Sequence, residues 1–590
     1  TGWGPTLYGG PGRFDASDHT SAYGFFPPGD LYQETVDQGI DRFIGSMNGN
    51  WRPTEWLALR SNLGVDYTSR VDSDLCRFDT CADFGTNLEG FKVDNRSSIY
   101  SYTVDFGATG TFQLLSSLNS KTTVGAQFYR NLFDRNGASS SQLPPGATSV
   151  TAGAVKDAEE STIETRTLGA FVEEALAWRD RVFFTAAVRS DRNSAFGADF
   201  ETVFYPKASL SWVLSDESFF PQVGWLDQLR LRSAYGASGV QPGTTDAVQF
   251  YSATTTTIAG SDASGLVFQA LGNRVLKPER STEFEAGIDG TFWQNRLTAE
   301  LTYYNKLSED ALVSRVLPGS LGVGTTNANS TRFENLGKVK NYGWEALLNA
   351  QLLQRAAFGW DVTLNASTNK NQLVTLGVPE IVGTYNRQVP GYPLSGYWQR
   401  PFTYADANND GLIAPSEVQV GADPEFVGYE QPRTELAFTN GFDFFNRSLR
   451  LTALFDYKGG HKLLNLTERY RCLSFNNCVG LADPDASLFE QARAVAARTG
   501  TTRTEAGYIE DGDYIRFREI SLTYTMPEQW VRRYLRTQRF SATLAARNLA
   551  LWTDYTGVDP EMNAGQGDVQ NEFLTQPPQR YLSLRLNVGF

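Results

Sequence analysis

A chain of 590 residues can hold several soluble domains or one very large barrel, so its length excludes only a small single-core fold. The formal net charge of −14 argues against a nucleic-acid partner, because proteins bind phosphate backbones through basic surfaces. Aromatic residues make up 13% of the chain, yet no apolar run reaches the roughly 18 residues that a membrane-spanning helix needs. Any membrane contact must therefore come from strands.

Residues 1–42 predict a long loop, because Gly, Pro, Asp and Tyr are frequent there and no apolar period is sustained. The opening residues, from Thr1 to Pro5, lack the basic start and the apolar core of a signal peptide. We therefore interpret the sequence as a mature piece or a fragment. The first predicted hairpin follows, with arms at 43–51 and 56–67.

Alternation of polar and apolar side chains then recurs along the chain. About 17 arms of this kind are predicted, at residues 43–51, 56–67, 100–112, 123–133, 165–178, 181–191, 203–214, 227–236, 282–292, 296–306, 342–353, 358–370, 433–444, 447–458, 514–525, 538–549 and 581–590. The last arm is the clearest, because one of its faces carries Leu582, Leu584, Leu586, Val588 and Phe590. Repeated strands with one apolar and one polar face are typical of a transmembrane β-barrel.

Arm length and loop length both favour the barrel over an array of soluble β-sandwiches. The arms are about twice as long as ordinary strands and match the roughly 9–11 residues of a tilted strand that crosses a bilayer. The connections also alternate between short and long. Outer-membrane barrels keep short turns on the periplasmic side and long loops outside the cell. We therefore predict an all-β, transmembrane, antiparallel barrel in a bacterial outer membrane.

The same alternation predicts that the chain lacks part of its barrel. If the last strand descends to the periplasm, the first arm also descends, which places Thr1 outside the cell. An odd number of strands with an extracellular start does not fit a complete bacterial barrel, whose strand number is even. The sequence therefore predicts that upstream strands are missing.

Few residues suit catalysis or transition-metal binding. The chain has two histidines, His19 and His461, and no arrangement of Ser, Asp and His that indicates a catalytic triad, so we do not expect an enzyme. Its four cysteines form two close pairs in polar, loop-like stretches, Cys76 with Cys81 and Cys472 with Cys478. We interpret them as local disulfides formed in an oxidising compartment, with free thiols as the alternative.

The sharpest local motif lies in the predicted extracellular loop 371–432. Residues 406–417 carry oxygen-bearing side chains at the spacing of an EF-hand calcium loop, with the turn-permitting Gly411 at its sixth position. The predicted calcium ligands are Asp406, Asn408, Asp410, the carbonyl of Leu412 and a bidentate Glu417. The alternative is an ordinary Asp- and Asn-rich turn held by its own side chains.

A second predicted extracellular loop, 459–513, contains a short helix. Leu488, Ala492 and Val495 recur at helical spacing between Asp483 and Gly500. This helix either packs against its own barrel or docks a surface partner.

Two further groups of side chains are candidates for contact with a solute. The inward-facing charged residues line a solute path or form salt bridges to a plug, and they are Arg230, Arg232, Glu283, Glu285, Glu300, Arg450 and Arg516. The run 391–398 contains aromatic side chains that either stack on sugars or peptide groups or simply pack the loop, namely Tyr392, Tyr397 and Trp398.

Several motifs resemble the TonB-dependent outer-membrane receptors, and more narrowly their SusC/RagA branch. They cover the chain from about residue 276 onward and comprise Leu276-Lys-Pro-Glu-Arg-Ser-Thr-Glu-Phe-Glu-Ala-Gly287, Arg296 to Lys306, Asn335-Leu-Gly-Lys-Val-Lys-Asn-Tyr-Gly-Trp-Glu345, Asp513 to Pro527, Ala546-Arg-Asn-Leu549 and Tyr555-Thr-Gly-Val-Asp-Pro-Glu561. The resemblance implies a barrel of 22 strands filled by an N-terminal plug. By this resemblance we expect about 17 of those strands in this sequence, without the plug, the TonB-contacting segment and the first strands.

The resemblance also implies a function. Such a receptor actively imports glycan or peptide fragments, together with a SusD-like surface lipoprotein and the TonB complex, which would contact the missing N-terminal region. The other implied partners are outer-membrane lipid and a second receptor pair in a homodimer. Two alternatives stay open at this stage: a structural or binding scaffold of a surface assembly, and a passive pore.

Overall fold

A large antiparallel sheet dominates the computed structural model, which describes residues 33–81, 86–195, 202–243, 246–317, 331–474, 476–500, 502–564 and 569–589. The sheet has 17 strands, here called the wall. They are β1 (Thr35–Trp51), β2 (Leu57–Cys76), β3 (Phe91–Leu115), β4 (Leu118–Ser141), β5 (Val155–Trp178), β6 (Val182–Asn193), β7 (Val203–Val213), β8 (Leu226–Val240), β9 (Glu279–Phe292), β10 (Leu297–Val316), β11 (Thr331–Gln354), β12 (Phe358–Thr375), β13 (Thr434–Phe444), β14 (Leu449–Gly459), β15 (Tyr514–Thr525), β16 (Arg539–Thr553) and β17 (Tyr581–Gly589).

Each wall strand pairs antiparallel with the next one along the chain, from β1 through to β17. Every predicted arm therefore corresponds to one strand, and the predicted all-β class is confirmed. Most connections at one end of the wall are turns of two to five residues, while long loops join the strands at the other, as the sequence predicts. The connections 214–225 and 526–538 are longer exceptions at the short-turn end. Within the described residues, β1 and β17 are not paired with each other.

Most strands extend further than the predicted arms. The prediction of a loop over 1–42 is wrong from Thr35 onward, because β1 pairs with β2 from that residue. The connection between the second and third predicted arms, which end at 67 and begin at 100, shortens to 77–90, because Cys76 still pairs with Phe91. Polar side chains occupy both faces of these extensions, since a strand that leaves the bilayer no longer needs an apolar face. The alternation in sequence therefore ends before the hydrogen bonding does.

The apolar face of the wall is exposed. Leu582, Leu584 and Leu586 on β17 are 75%, 66% and 58% exposed, so they are not packed into a protein interior. Phe590, predicted to share their face, lies outside the described residues. Exposed tryptophans cluster near the short turns, including Trp51, Trp56, Trp178, Trp225 and Trp293. An exposed apolar face with an aromatic girdle at its rim is typical of a barrel that contacts lipid.

The long loops contain their own short elements. A projecting hairpin pairs Phe250–Ile258 with Ser261–Ala270, in a stretch where no strand was predicted. The other short strands are Ile381–Val382, Arg387–Gln388, Gly396–Gln399, Phe402–Tyr404, Val418–Val420, Glu425–Tyr429, Lys462–Asn465, Ile509–Asp511 and Asn571–Glu572. Single helical turns lie at Asn87–Glu89, Val150–Ala152, Leu214–Asp216, Pro415–Glu417, Ala506–Tyr508, Glu528–Trp530 and Val531–Leu535.

Three loops pack together into what we call the cap, formed by the described residues of 376–433, 460–513 and 554–580. Its helices are α1 (Leu466–Leu473), α2 (Val479–Ala482) and α3 (Leu488–Arg498). The core of the cap is fully or nearly fully buried and includes Tyr397, Leu464, Cys472, Cys478, Ala494, Tyr508, Ile509 and Val569. No helix in the described part of the chain is long and apolar enough to span a membrane.

Candidate functional site

The polar face of the wall, here called the bore face, carries the predicted inward charges. Arg230 on β8 lies directly opposite Asp289 on β9, and Arg232 reaches the same carboxylate. The closest nitrogen–oxygen distances are 2.6 Å for Arg230 and 2.9 Å for Arg232. Asp289 is buried, and it holds both guanidinium groups against the wall. These two arginines are therefore paired within the barrel itself.

Arg450 makes the same kind of contact further round the wall. Its guanidinium group bonds Asp361 on β12 at 2.8 Å and Asp443 on β13 at 3.1 Å. The wall itself therefore compensates the charge of Arg450, without a salt bridge to a plug.

Glutamates form an acidic part of the bore face. A cavity of about 440 Å³ is lined by residues that include Glu285, Glu300, Glu345 and Glu435. Arg232 and Lys458 are the basic residues in the same lining. Glu285, Glu300 and Glu345 form no ion pair within the described residues. This stretch of wall therefore offers carboxylate acceptors to hydroxyl or amine groups of whatever fills the bore.

Arg516 anchors the cap to the wall. It is 3% exposed and donates two hydrogen bonds of 2.6 and 2.7 Å to Asp559, which is also 3% exposed. Arg518 bonds Asp456 on β14 and Glu561 in the cap, with closest distances of 2.6 and 2.9 Å. The cap is thus bound to the bore face by a network of five charged side chains, here called the anchor network.

A β-bulge lies at the second arginine of this network. The register between β15 and β16 shifts at Arg518, because Phe517 pairs with Ala550 while Glu519 pairs with Arg547. Regular alternation would point Arg518 and Glu519 to opposite faces, but the bulge places Glu519 on the bore face as well, next to Arg518. Our sequence reasoning missed this residue, although charges at two consecutive positions of an alternating strand were a signal for the bulge.

The cap contains a second buried charge cluster around Arg493 on α3. This side chain is 3% exposed and lies 2.5 Å from Glu490 and 3.0 Å from Glu510, over the ring of Tyr508. Burial raises the pKa of Glu490, and the neighbouring Arg493 opposes that rise. Most of α3 is buried within its own cap. The structure therefore favours the interpretation that this helix packs against its own protein over the one in which it docks a surface partner. The helix begins at Leu488, later than the predicted Asp483.

The region where β14 enters the cap contains His461, which is almost completely buried. Its Nδ1 atom lies 3.7 Å from a carboxylate oxygen of Asp513. Burial lowers the pKa of His461 below its ordinary value of 6.5, although Asp513 acts in the opposite direction. The other histidine, His19, lies outside the described residues.

Both predicted disulfides are present. Cys76 is bonded to Cys81, and Cys472 to Cys478. The second disulfide links α1 to the start of α2 inside the cap core. Glu468 lies near this pair, but the bonded sulfurs offer no thiolates to a metal ion.

The predicted calcium loop closes a hairpin rather than a pair of helices. Phe402–Tyr404 pairs with Val418–Val420, and the twelve residues 406–417 lie between the two strands. Gly411 has a φ of +79°, the left-handed conformation that the sixth position requires.

Carboxylate groups of this loop accept hydrogen bonds from its own backbone. Asp406 accepts from the amide of Gly411 at 2.9 Å, and Glu417 from Ala407 and Ala414 at 2.8 Å. The side chain of Gln491 on α3 holds the loop in place through hydrogen bonds to the loop backbone. The carboxylate hydrogen bonds agree with the alternative of a turn held by its own side chains, and calcium binding stays a prediction.

The aromatic run divides into packing and exposed residues. Tyr397 is fully buried, donates a hydrogen bond to the carbonyl of Gln570 and accepts one of 3.3 Å from the amide of Leu464. Burial raises its pKa. Tyr392 is exposed, and its ring centroid lies 4.8 Å from that of Trp398. Tyr397 therefore packs the cap, which leaves the other two as candidates for contact with a solute.

Comparison with known proteins identifies the family. The family model described as TonB dependent receptor-like, beta-barrel matches residues 1–549. TonB-dependent receptor P26 of Formosa agariphila is 27% identical over 462 residues, which are 70% of this chain and 45% of that protein. TonB-dependent receptor SusC of Bacteroides thetaiotaomicron is 24% identical over 556 residues, which are 86% of this chain and 52% of that protein.

A solved structure shows the same fold. The structure of the RagAB peptide transporter matches with a TM-score of 0.80 at 19% identity, over 98% of this chain and 65% of that chain. The chain spans about half the length of the curated relatives it matches. The wall, its lipid-facing exterior and these matches together place the protein in the outer membrane. The chain belongs to the TonB-dependent receptor β-barrel family and is a receptor barrel of the SusC/RagA type.

Proposed function

We propose that this barrel is part of a receptor that actively imports glycan or peptide fragments across the outer membrane with energy from the TonB complex. The observation that carries the proposal is the anchored cap, because three long loops fold into a packed body bound to the bore face by Arg516 and Arg518. A freely open pore has no need of such a structure at its mouth. SusC and the RagAB peptide transporter, which share the fold, support the same class of function.

We further propose that the complete receptor closes its wall with five more strands and fills its bore with a plug. A wall of 17 strands plus five gives the even number that bacterial barrels have. The acidic residues Glu285, Glu300 and Glu345 would then face the plug or a solute that passes it. The surface partner proposed for the cap side is a SusD-like lipoprotein, and a homodimer of receptor pairs is a further proposal. The chain acts in transport rather than in catalysis.

Uptake measurements test this proposal. Cells that produce the complete receptor should accumulate labelled oligosaccharides or peptides, and deletion of TonB should abolish that uptake while leaving surface binding intact. Equal uptake without TonB would indicate a passive pore, which single-channel conductance would detect. Surface binding without uptake in TonB-containing cells would instead indicate a scaffold.

We also propose that the loop 406–417 binds calcium through Asp406, Asn408, Asp410, the carbonyl of Leu412 and Glu417. The observation that supports it is the spacing of these oxygen donors around Gly411. Isothermal titration of the purified receptor with CaCl₂ should show one site, and Asp406→Ala should abolish that site. Glu380→Ala, which removes a cap carboxylate outside the loop, should retain it. Absence of calcium-dependent heat in the unaltered receptor would refute the assignment.

A further inference from the structure

The lipid-facing side of the wall carries two lysines on neighbouring strands. Tyr342 on β11 lies directly opposite Lys370 on β12, and Lys340 lies two residues along from Tyr342 on the same face. The ammonium groups of Lys340 and Lys370 lie 5.0 and 5.8 Å from the centroid of the Tyr342 ring. The two lysines thus flank one tyrosine, and we call the three residues the lysine clamp.

The lysine clamp faces outward rather than into the bore. Its face continues along β11 through Trp344, which is 51% exposed, and then through Ala346 and Leu348. Leu301 on the adjoining strand β10 pairs with Ala346 and is 44% exposed. The register between β11 and β12 is uninterrupted from Val339 to Gln351, so no bulge turns the lysines toward the bore.

The height of the clamp coincides with the outer boundary of the apolar band. Trp360 lies near the short-turn end of β12 on the same face as Lys370, ten residues away. At about 3.3 Å per residue and a tilt of about 40°, ten residues rise roughly 25 Å, which is the usual height of the apolar band of such barrels. Lys370 therefore lies at the level where lipid acyl chains give way to headgroups.

The charge of the clamp is uncompensated. Neither Lys340 nor Lys370 forms an ion pair within the described residues. A second outward-facing pair of cations differs in this respect, because Arg130 and Arg166 lie directly opposite each other and share the carboxylate of Glu164. The lysine clamp is therefore the more strongly cationic of the two sites.

We propose that the lysine clamp binds the phosphate groups of a glycolipid headgroup in the outer leaflet. An ammonium group pairs with phosphate, and two of them at the headgroup level match a diphosphorylated lipid such as lipid A. Tyr342 and Trp344 provide the amphipathic surface on which the sugar part of the headgroup rests. This inference rests on the outer-membrane location of the barrel and not on its transport activity.

Lipid titration of the purified, complete receptor tests the proposal. Fluorescent diphosphoryl lipid A should bind the unaltered receptor. K340Q/K370Q should raise the dissociation constant of this lipid about 30-fold, the effect of losing two headgroup contacts. The matched control K121Q/K306Q removes two lysines from the bore face and should change binding less than about twofold. The same lipid without phosphates should bind the receptor and K340Q/K370Q equally weakly.

Two results would overturn the proposal. Equal affinity of the unaltered receptor and K340Q/K370Q for diphosphoryl lipid A would show that the clamp does not recognise phosphate. Displacement of the lipid by equimolar inorganic phosphate would show a site for the free ion instead. Unheated electrophoresis, which separates folded from unfolded barrels, confirms that both variants have assembled.

Discussion

Removing Arg516 should release the cap from the wall. The change Arg516→Met keeps the aliphatic stem but leaves Asp559 buried without its cation, since both side chains are only 3% exposed in the pair. Breaking a buried ion pair by removing one partner costs about 3–5 kcal/mol. Glu561 keeps its contact with Arg518 in this variant, so the loss falls on Asp559.

Amide hydrogen exchange gives the assay. The backbone amide of Glu561 bonds the Asp559 carboxylate at 2.9 Å, so its exchange reports the opening of this segment. A loss of about 3–5 kcal/mol should accelerate its exchange by roughly two to four orders of magnitude. The double variant R516M/D559N removes both charges but keeps a side-chain oxygen that accepts from the Glu561 amide. It should recover most of the protection, because no buried charge remains.

An exposed ion pair of similar length provides the control. Arg42 and Asp66 approach to 2.5 Å, but the Arg42 side chain is 55% exposed. Arg42→Met should therefore leave exchange at Glu561 unchanged and alter exchange near Asp66 little. The reasoning is refuted if Arg516→Met accelerates exchange at Glu561 less than about tenfold, or if R516M/D559N is no better protected than Arg516→Met.

Three further predictions concern the cap and the lipid face. Because burial lowers the pKa of His461, its neutral form contributes stability above pH 6.5 that is lost as the pH falls through the lowered value. Limited proteolysis of the cap should therefore accelerate below pH 6.5, and His461→Gln should remove that pH dependence. An unchanged pH profile in His461→Gln would exclude the histidine as its source. Replacing both Cys472 and Cys478 by Ser should destabilise the cap by about 2 kcal/mol, a modest loss because the disulfide closes only a short loop of chain. Proteolysis of the cap at increasing urea concentrations measures this loss, and an unchanged urea midpoint would contradict the prediction. Leu584→Lys should destabilise the barrel by about 2–4 kcal/mol, while Ser583→Lys on the opposite face should have little effect. Equal free energies of unfolding for the two variants in lipid vesicles would show that Leu584 does not contact lipid.

The sequence alone predicts the class of fold and the number of wall strands. The alternation that places Leu582, Leu584 and Leu586 on one face is a local response to lipid on one side and water on the other. Close cysteine pairs are also local, since Cys472 and Cys478 are only six residues apart. The order of short and long connections follows directly from these assignments. All of these features are decided within one strand or one turn.

Only the tertiary structure decides how the long loops are used. Arg516 meets Asp559 across 43 residues of chain, and Tyr397 meets Gln570 across 173. No local period encodes such contacts, because they depend on the path of three loops that fold against one another and against the bore face. The bulge at Arg518 and the burial of α3 are settled in the same way, by partners far away in sequence. The periodic residues therefore determine the wall, and long-range packing determines the cap that closes over it.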